Sequence, residues 1–216
     1  MDDEKTAACK MDGEIMNESK TNEHIPTRDE AWILLRQYND NDSLIRHALA
    51  VEGVMRHFAG LHAPDDVEQW GIIGLVHDLD YERFSDSHCV KVREILENAG
   101  WPQKWIRAVE SHGWELCVPV KPETLLEKTL YTIDELTGLV TATALLRPSR
   151  SVLDLETKSV RKKWKQSGFA AGVNRTVIEK GADLLGATLD EIITETILGM
   201  RNVAEAIGLQ GSPELN

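Results

Sequence analysis

The sequence predicts an all-α fold, a single helical bundle with extra C-terminal helices, on three observations. Apolar residues recur at helical spacing along nearly the whole chain. No segment sustains the period-two alternation of a half-buried strand between turn dipeptides. Residues that start and stop helices flank the apolar runs.

The elements follow in order. Residues 1 to about 26 carry many charges and few large apolar side chains, which predicts a disordered acidic tail. Thr27-Arg28-Asp29-Glu30 is a capping box that opens a first helix at Ala31-Trp32-Ile33-Leu34-Leu35. Leu44, Val51, Val54 and Phe58 form the stripe of a second. A third is expected from about Asp66 to Asp78, around Trp70, Ile73 and Val76. A fourth runs from about Ser87 to Ala99, where Gly100 stops it, and a fifth starts at Trp101-Pro102 with proline in its first turn. Pro122 opens a long helix that ends before Arg147-Pro148. Two more begin at Asn174 and at a second capping box, Thr188-Leu189-Asp190-Glu191, the last ending at Gly208. There is no repeat and no Pro- or Gly-rich linker, so residues 27–210 read as one domain.

Composition narrows the function classes. The chain has 216 residues, with 24 Lys and Arg against 36 Asp and Glu, a net charge of −12. So acidic a surface does not wrap a polyanion as a whole, and nucleic acid is not favoured as a partner. No apolar run approaches the roughly 20 residues that cross a bilayer, and no secretory apolar segment opens the chain. Cys9, Cys89 and Cys117 form no Cys-x-x-Cys pair. An odd, unpatterned set points to a reducing compartment, and a cytoplasmic location is expected.

The histidines carry the chemistry. His24 lies in the tail, and His57 and His62 sit at the polar end of their helix. His47 shares a stripe with Leu44, Val51 and Val54, and His77 a face with Trp70, Ile73 and Gly74. His88 lies over Val92 and Ile95, and His112 follows Trp105, Ala108 and Val109. One such histidine is usually a satisfied core residue. Four in one small helical domain must each satisfy two ring nitrogens, which a metal ion does economically. Asp78 directly follows His77, and Asp134 sits mid-helix beside the small residues Thr137, Gly138 and Thr141. Alone, Asp134 is as readily explained by close helix packing and an arginine partner.

The order His47, His77-Asp78, His88, His112, Asp134 resembles the HD-domain metal-dependent hydrolase superfamily, from about Asp42 to Leu146. Weaker likeness continues through Arg147-Pro148-Ser149, Lys158 to Lys163 and Phe169 to Arg175, as in a subgroup of uncharacterised predicted hydrolases. The resemblance implies a helical fold and one or two divalent transition metals (Fe, Mn, Co or Zn). Its ligands would be His47, His77, Asp78 and Asp134, with His88 and His112 for a second ion and Asp78 bridging. It also implies metal-activated water attacking a phosphate ester. Many members read His-Asp-Ile-Gly, often followed by Lys; this chain has His77-Asp78-Leu79-Asp80-Tyr81 and lacks that common phosphate contact. Asp80 is the candidate general acid or base, against the simpler reading of a helix-capping or surface aspartate.

A basic island completes the expectation. Between Arg147 and Lys180 nine basic residues face three acidic ones, a local +6. Lys158, Arg161, Lys162 and Lys165 follow i, i+3, i+4, i+7 on one helical face. With Arg175, residues 158, 161 and 162 are the candidate substrate-binding group for a nucleotide or other small phosphorylated metabolite, the alternative being a solvated face. Two rivals to the phosphohydrolase share the ligand set: a mixed-valence di-iron oxygenase and a non-catalytic nucleotide-binding module. The C-terminal amphipathic helix, with Ile192, Ile193, Ile197 and Met200, either closes the domain or forms a homodimer face.

Overall fold

The computed structural model describes residues 24–211, so the expected tail up to residue 23 lies outside the described residues. Ordered packing starts one residue before the first capping box, with Pro26 buried. The fold is all-α: among the described residues there is no strand, and only two isolated bridges, Trp114 to Val118 and Ser151 to Gln210.

Helix α1 (Arg28–Tyr38) opens on Thr27, whose side chain accepts from the Glu30 amide while Glu30 reaches back. Asn41 caps α2 (Asp42–His62), which is buried along most of its length and packs most extensively on α3 (Val67–Val76). A short α4 (Tyr81–Phe84) leads to α5 (Val90–Asn98) and α6 (Gln103–Ser111). Then comes α7 (Leu125–Leu145), opened by the capping box of Thr124 and Glu127 rather than by Pro122. Finally α8 (Thr157–Trp164), α9 (Arg175–Leu185) and α10 (Leu189–Arg201) close the bundle. The long helices α2 and α7 form its spine: α3 and α10 pack on α2, and α9 packs on α7.

Several helix ends differ from expectation, each for a local reason. The third helix stops at Val76, leaving His77 and Asp78 in the turn beyond it. The fourth starts only at Val90, because Cys89 holds φ +65° and cannot continue a helix backwards. His88 is therefore extended and precedes the helix it was expected to lie on. The last helix ends at Arg201, and turns carry the chain to Gly208 at φ +69°.

The core is one cluster, with Val51, Val54, Met55, Ile73, Leu75, Ile106, Leu130, Ile133 and Leu136 all at 0% exposure. Burying each such side chain contributes roughly 1.5–3 kcal/mol. Three glutamates are also buried, and each meets arginine. Arg28 grips Glu52 through two hydrogen bonds of 2.7 and 2.9 Å, Arg93 holds Glu110, and Arg107 holds Glu127. Close approach of α9 to α7 depends on Gly181, where a β-carbon would lie 2.9 Å from the Thr132 α-carbon and 2.7 Å from its β-carbon. Gly181→Ala should cost about 1–3 kcal/mol in urea unfolding, because backbone cannot yield as a side-chain tip does. Unchanged stability would show that the two helices separate freely.

Candidate metal centre

The spine helices and three helix ends bring the six expected ligands together. His47 comes from the second turn of α2 and Asp134 from the middle of α7. His77 and Asp78 follow the end of α3, His88 precedes α5, and His112 caps the end of α6.

Each imidazole is tied at Nδ1. His77 Nδ1 lies 2.8 Å from the Gly74 carbonyl, and His112 Nδ1 meets the Val109 carbonyl. A carbonyl only accepts, so both rings carry their proton on Nδ1. His88 Nδ1 donates to Asp80 Oδ1 at 2.7 Å. Thr137 gives its hydroxyl proton to the Asp134 carbonyl at 2.7 Å, which leaves its oxygen to accept from His47 Nδ1 at 3.3 Å. All four Nε2 lone pairs are therefore turned into one space.

They fall into two groups. His47 Nε2 and His77 Nε2 lie 2.9 and 3.2 Å from Asp134 Oδ1, and 3.7 and 3.5 Å from Asp78 Oδ2. His88 Nε2 and His112 Nε2 lie 3.5 and 3.3 Å from the other oxygen, Asp78 Oδ1, and 3.2 Å from each other. Asp78 thus straddles the two groups. Lone pairs facing lone pairs and carboxylates at these distances repel unless protons or a metal ion lie between them.

The electrostatics agree with that demand. Burial alone would lower the His77 pKa, but Asp78 and Asp134 outweigh it and hold the imidazole well above its ordinary value. Burial would raise Asp78 and Asp134, yet the histidines hold Asp78 well below the carboxylate range and Asp134 below it too. His88 is raised against its burial by Asp80 and Asp78. Unlike Glu52, Glu110 and Glu127, neither Asp78 nor Asp134 meets a lysine or arginine among the described residues. The arginine partner open to Asp134 on sequence grounds is absent there, and its partners are His47 and His77. Imidazole and carboxylate donors at this density suit a first-row divalent cation, and the residues fit one.

The ligands open into a cleft of about 420 Å³, which also exposes Tyr81, Glu135 and Gly138. Glu135 was not singled out in the sequence. Its Oε2 accepts the Asn174 amide at 3.0 Å, and burial raises its pKa. Thr137 had been read only as a small neighbour of Asp134. Nothing in a linear pattern marks either, because their partners lie 39 and 90 residues away.

Other expected site residues are placed elsewhere. Asp80, expected as a general acid or base, is fully buried behind His88, with Oδ2 accepting the Val92 amide at 2.8 Å. Both oxygens are spent on orienting His88 and starting α5, so it is a positioning residue. Lys158, Arg161, Lys162 and Arg175 do not line the cleft. Lys158 pairs with Glu156, and Arg161 with Asp190 at 2.9 Å. Arg175 is a strut, donating to the carbonyls of Trp164, Gln166 and Phe169 and stacking on the Trp164 ring. Only Lys162 of the four is left exposed with no ion pair among the described residues.

No family profile matches the chain, and no solved structure does. It is 28% identical over 149 residues to a tRNA (cytidine(56)-2′-O)-methyltransferase of Picrophilus torridus, a match covering 63% of this chain and 43% of that relative. The chain therefore spans less than half the length of the curated relative it matches. That relative's named reaction is a group transfer onto a ribose oxygen of tRNA, not a hydrolysis. The expected phosphohydrolase acting on a nucleotide or small phosphorylated metabolite is corrected on this finding. The hydrolase class falls with it. What remains from the comparison is likeness to an enzyme of RNA methylation.

Proposed function

We propose that this chain is a metal-binding helical domain of tRNA methylation, which holds divalent cations in its cleft and binds RNA beside them. The observation that carries the metal reading is the set of four imidazoles, each tied at Nδ1 and facing Asp78 and Asp134 through Nε2. This is the ligand order of the HD-domain resemblance without its hydrolytic assignment. His47, His77, Asp78 and Asp134 would hold one ion, and Asp78, His88 and His112 a second. A cation so held would lower the pKa of a hydroxyl or water oxygen bound to it. Asp80 fixes the His88 ring, Thr137 fixes that of His47, and Glu135 offers the cleft a carboxyl able to take or give a proton.

The name of the relative supports RNA as the partner. So does the exposed end of α8, where Lys162 and, just beyond the helix, Lys165 stand among the basic residues. This revises the expectation that nucleic acid is not a partner: the net charge is acidic, but phosphate contacts need only a local cationic face. Methyl transfer itself is not assigned to these helices. No helix of the described residues is long and apolar enough to cross a membrane.

Elemental analysis of protein purified without chelator should give close to two first-row metals per chain, and His77→Ala should lose both. Asp80→Asn should keep the fold and weaken metal binding by about 10–100-fold, since the His88 ring loses its fixed orientation. Full metal content in both variants would remove the metal reading. Replacing Lys162 and Lys165 by glutamate should weaken tRNA binding about tenfold in a fluorescence titration and flatten its salt dependence, with metal content unchanged. Equal affinity would remove the RNA reading and leave the metal reading untouched.

The raised histidines and lowered aspartates also fix the pH behaviour of the metal-free protein. Raised His77 and His88 stabilise fully below the unfolded histidine value of about 6.5, and this is lost as pH rises through their folded values. Lowered Asp78 and Asp134 stabilise above about 3.9, lost as pH falls through theirs. Chelated protein should therefore be most stable between about pH 4 and 6.5 and melt lower at pH 8. Added metal should reverse that loss, because it replaces the protons it displaces. Thermal melts with and without chelator measure both; a stability maximum at pH 8 without metal would contradict the assignment.

A further inference from the structure

At the rim of the cleft two thiols face each other. Cys117 Sγ lies 2.6 Å from Cys89 Sγ, closer than the roughly 3.5–4 Å of ordinary non-bonded contact and approaching the roughly 2.05 Å of an S–S bond. Both sulfurs rest over the α-carbon of Gly113, where a β-carbon would collide with each. The chain is bent to bring them there. Cys89 holds a left-handed φ of +65°, uncommon for a residue with a side chain. Cys117 is fixed by the tight loop in which the amides of Leu116, Cys117 and Val118 all meet the Gly113 carbonyl, at 3.0 to 3.2 Å. Accessibility is asymmetric: Cys89 is fully buried, and Cys117 is exposed.

We propose that Cys89 and Cys117 form a reversible dithiol–disulfide site that takes a peroxide as its oxidant. The Cys117 sulfur, the one solvent reaches, attacks a peroxide oxygen. The O–O bond breaks, one oxygen stays on sulfur as a sulfenic acid, and the other leaves as water once protonated. Cys89 Sγ then attacks the Cys117 sulfur, the S–S bond forms, and the sulfenic oxygen leaves as a second water carrying the Cys89 proton. Two thiols are oxidised by two electrons, and one peroxide is reduced to two waters. A bond here fastens the residue after His88 to the loop after His112, so the site borders two ligands of the candidate centre without depending on that reading. In a reducing compartment such a pair is a sensor rather than a structural bridge.

The test uses the 216-residue chain with Cys9→Ser, so that only the pair remains. Stoichiometric hydrogen peroxide should remove two titratable thiols and about two hydrogen masses per chain, and dithiothreitol should restore both. Peptide mapping should recover Cys89 linked to Cys117 within one chain. Cys117→Ser should slow thiol loss at least tenfold, because the remaining sulfur is buried. Stepwise oxygen addition at Cys117 with Cys89 still a free thiol would overturn the proposal, as would links only between chains. The map on the unsubstituted pair decides the matter even if Cys117→Ser fails to fold.

Discussion

Each imidazole of the cluster is committed at one nitrogen, and this commitment shapes the cleft. The carbonyls of Gly74 and Val109, the Asp80 carboxylate and the Thr137 hydroxyl each take an Nδ1 proton. The opposite nitrogens are then left with lone pairs, and packing turns all four toward Asp78 and Asp134. Buried groups with nothing to donate cannot satisfy one another. In the metal-free chain protons serve, which is why His77 and His88 are raised and the two aspartates lowered. The same arrangement would receive a cation in place of those protons.

That geometry rests on where helices stop. His77, His88 and His112 all sit just outside helices, where the backbone is free to turn a ring inward. Only His47 and Asp134 lie within helices, on the two long elements that form the spine. Asp80 links the two arrangements: one oxygen holds the His88 ring and the other caps the start of α5. A residue expected to perform chemistry instead keeps a ligand and a helix end in register.

The contrast of Asp78 and Asp134 with the buried glutamates separates architecture from site. Glu52, Glu110 and Glu127 are neutralised by arginines and brace helix pairs. Among the described residues the Asp78 and Asp134 side chains meet only imidazoles, an arrangement costly for mere stability and suited to holding a positive ion. The basic island divides similarly. Arg175 is consumed by three backbone carbonyls and Arg161 by Asp190, while Lys162 on α8 and Lys165 just beyond it stay exposed. The exposed cationic surface is thus narrower than the nine basic residues suggest, and it does not line the candidate metal cleft.

By itself the sequence determined the helical class, the capping boxes at Thr27 and Thr188 and the six residues that cluster. The class and the caps follow from spacing along one chain, where periodicity and capping act over a few residues, whereas the six-residue set came from the histidine pattern together with the resemblance to the HD-domain order. Only the tertiary structure decided that Asp78 straddles two groups, that Asp80 is a buried brace, that Glu135 lines the cleft while Thr137 holds the His47 ring from behind, and that Cys89 meets Cys117. Each depends on a partner on another element, at a distance and rotation set by how helices pack. The reaction class was not legible either: the same six ligands accommodate hydrolysis, oxygenation or plain ion binding, because a donor set fixes which cation is held and not what is brought to it.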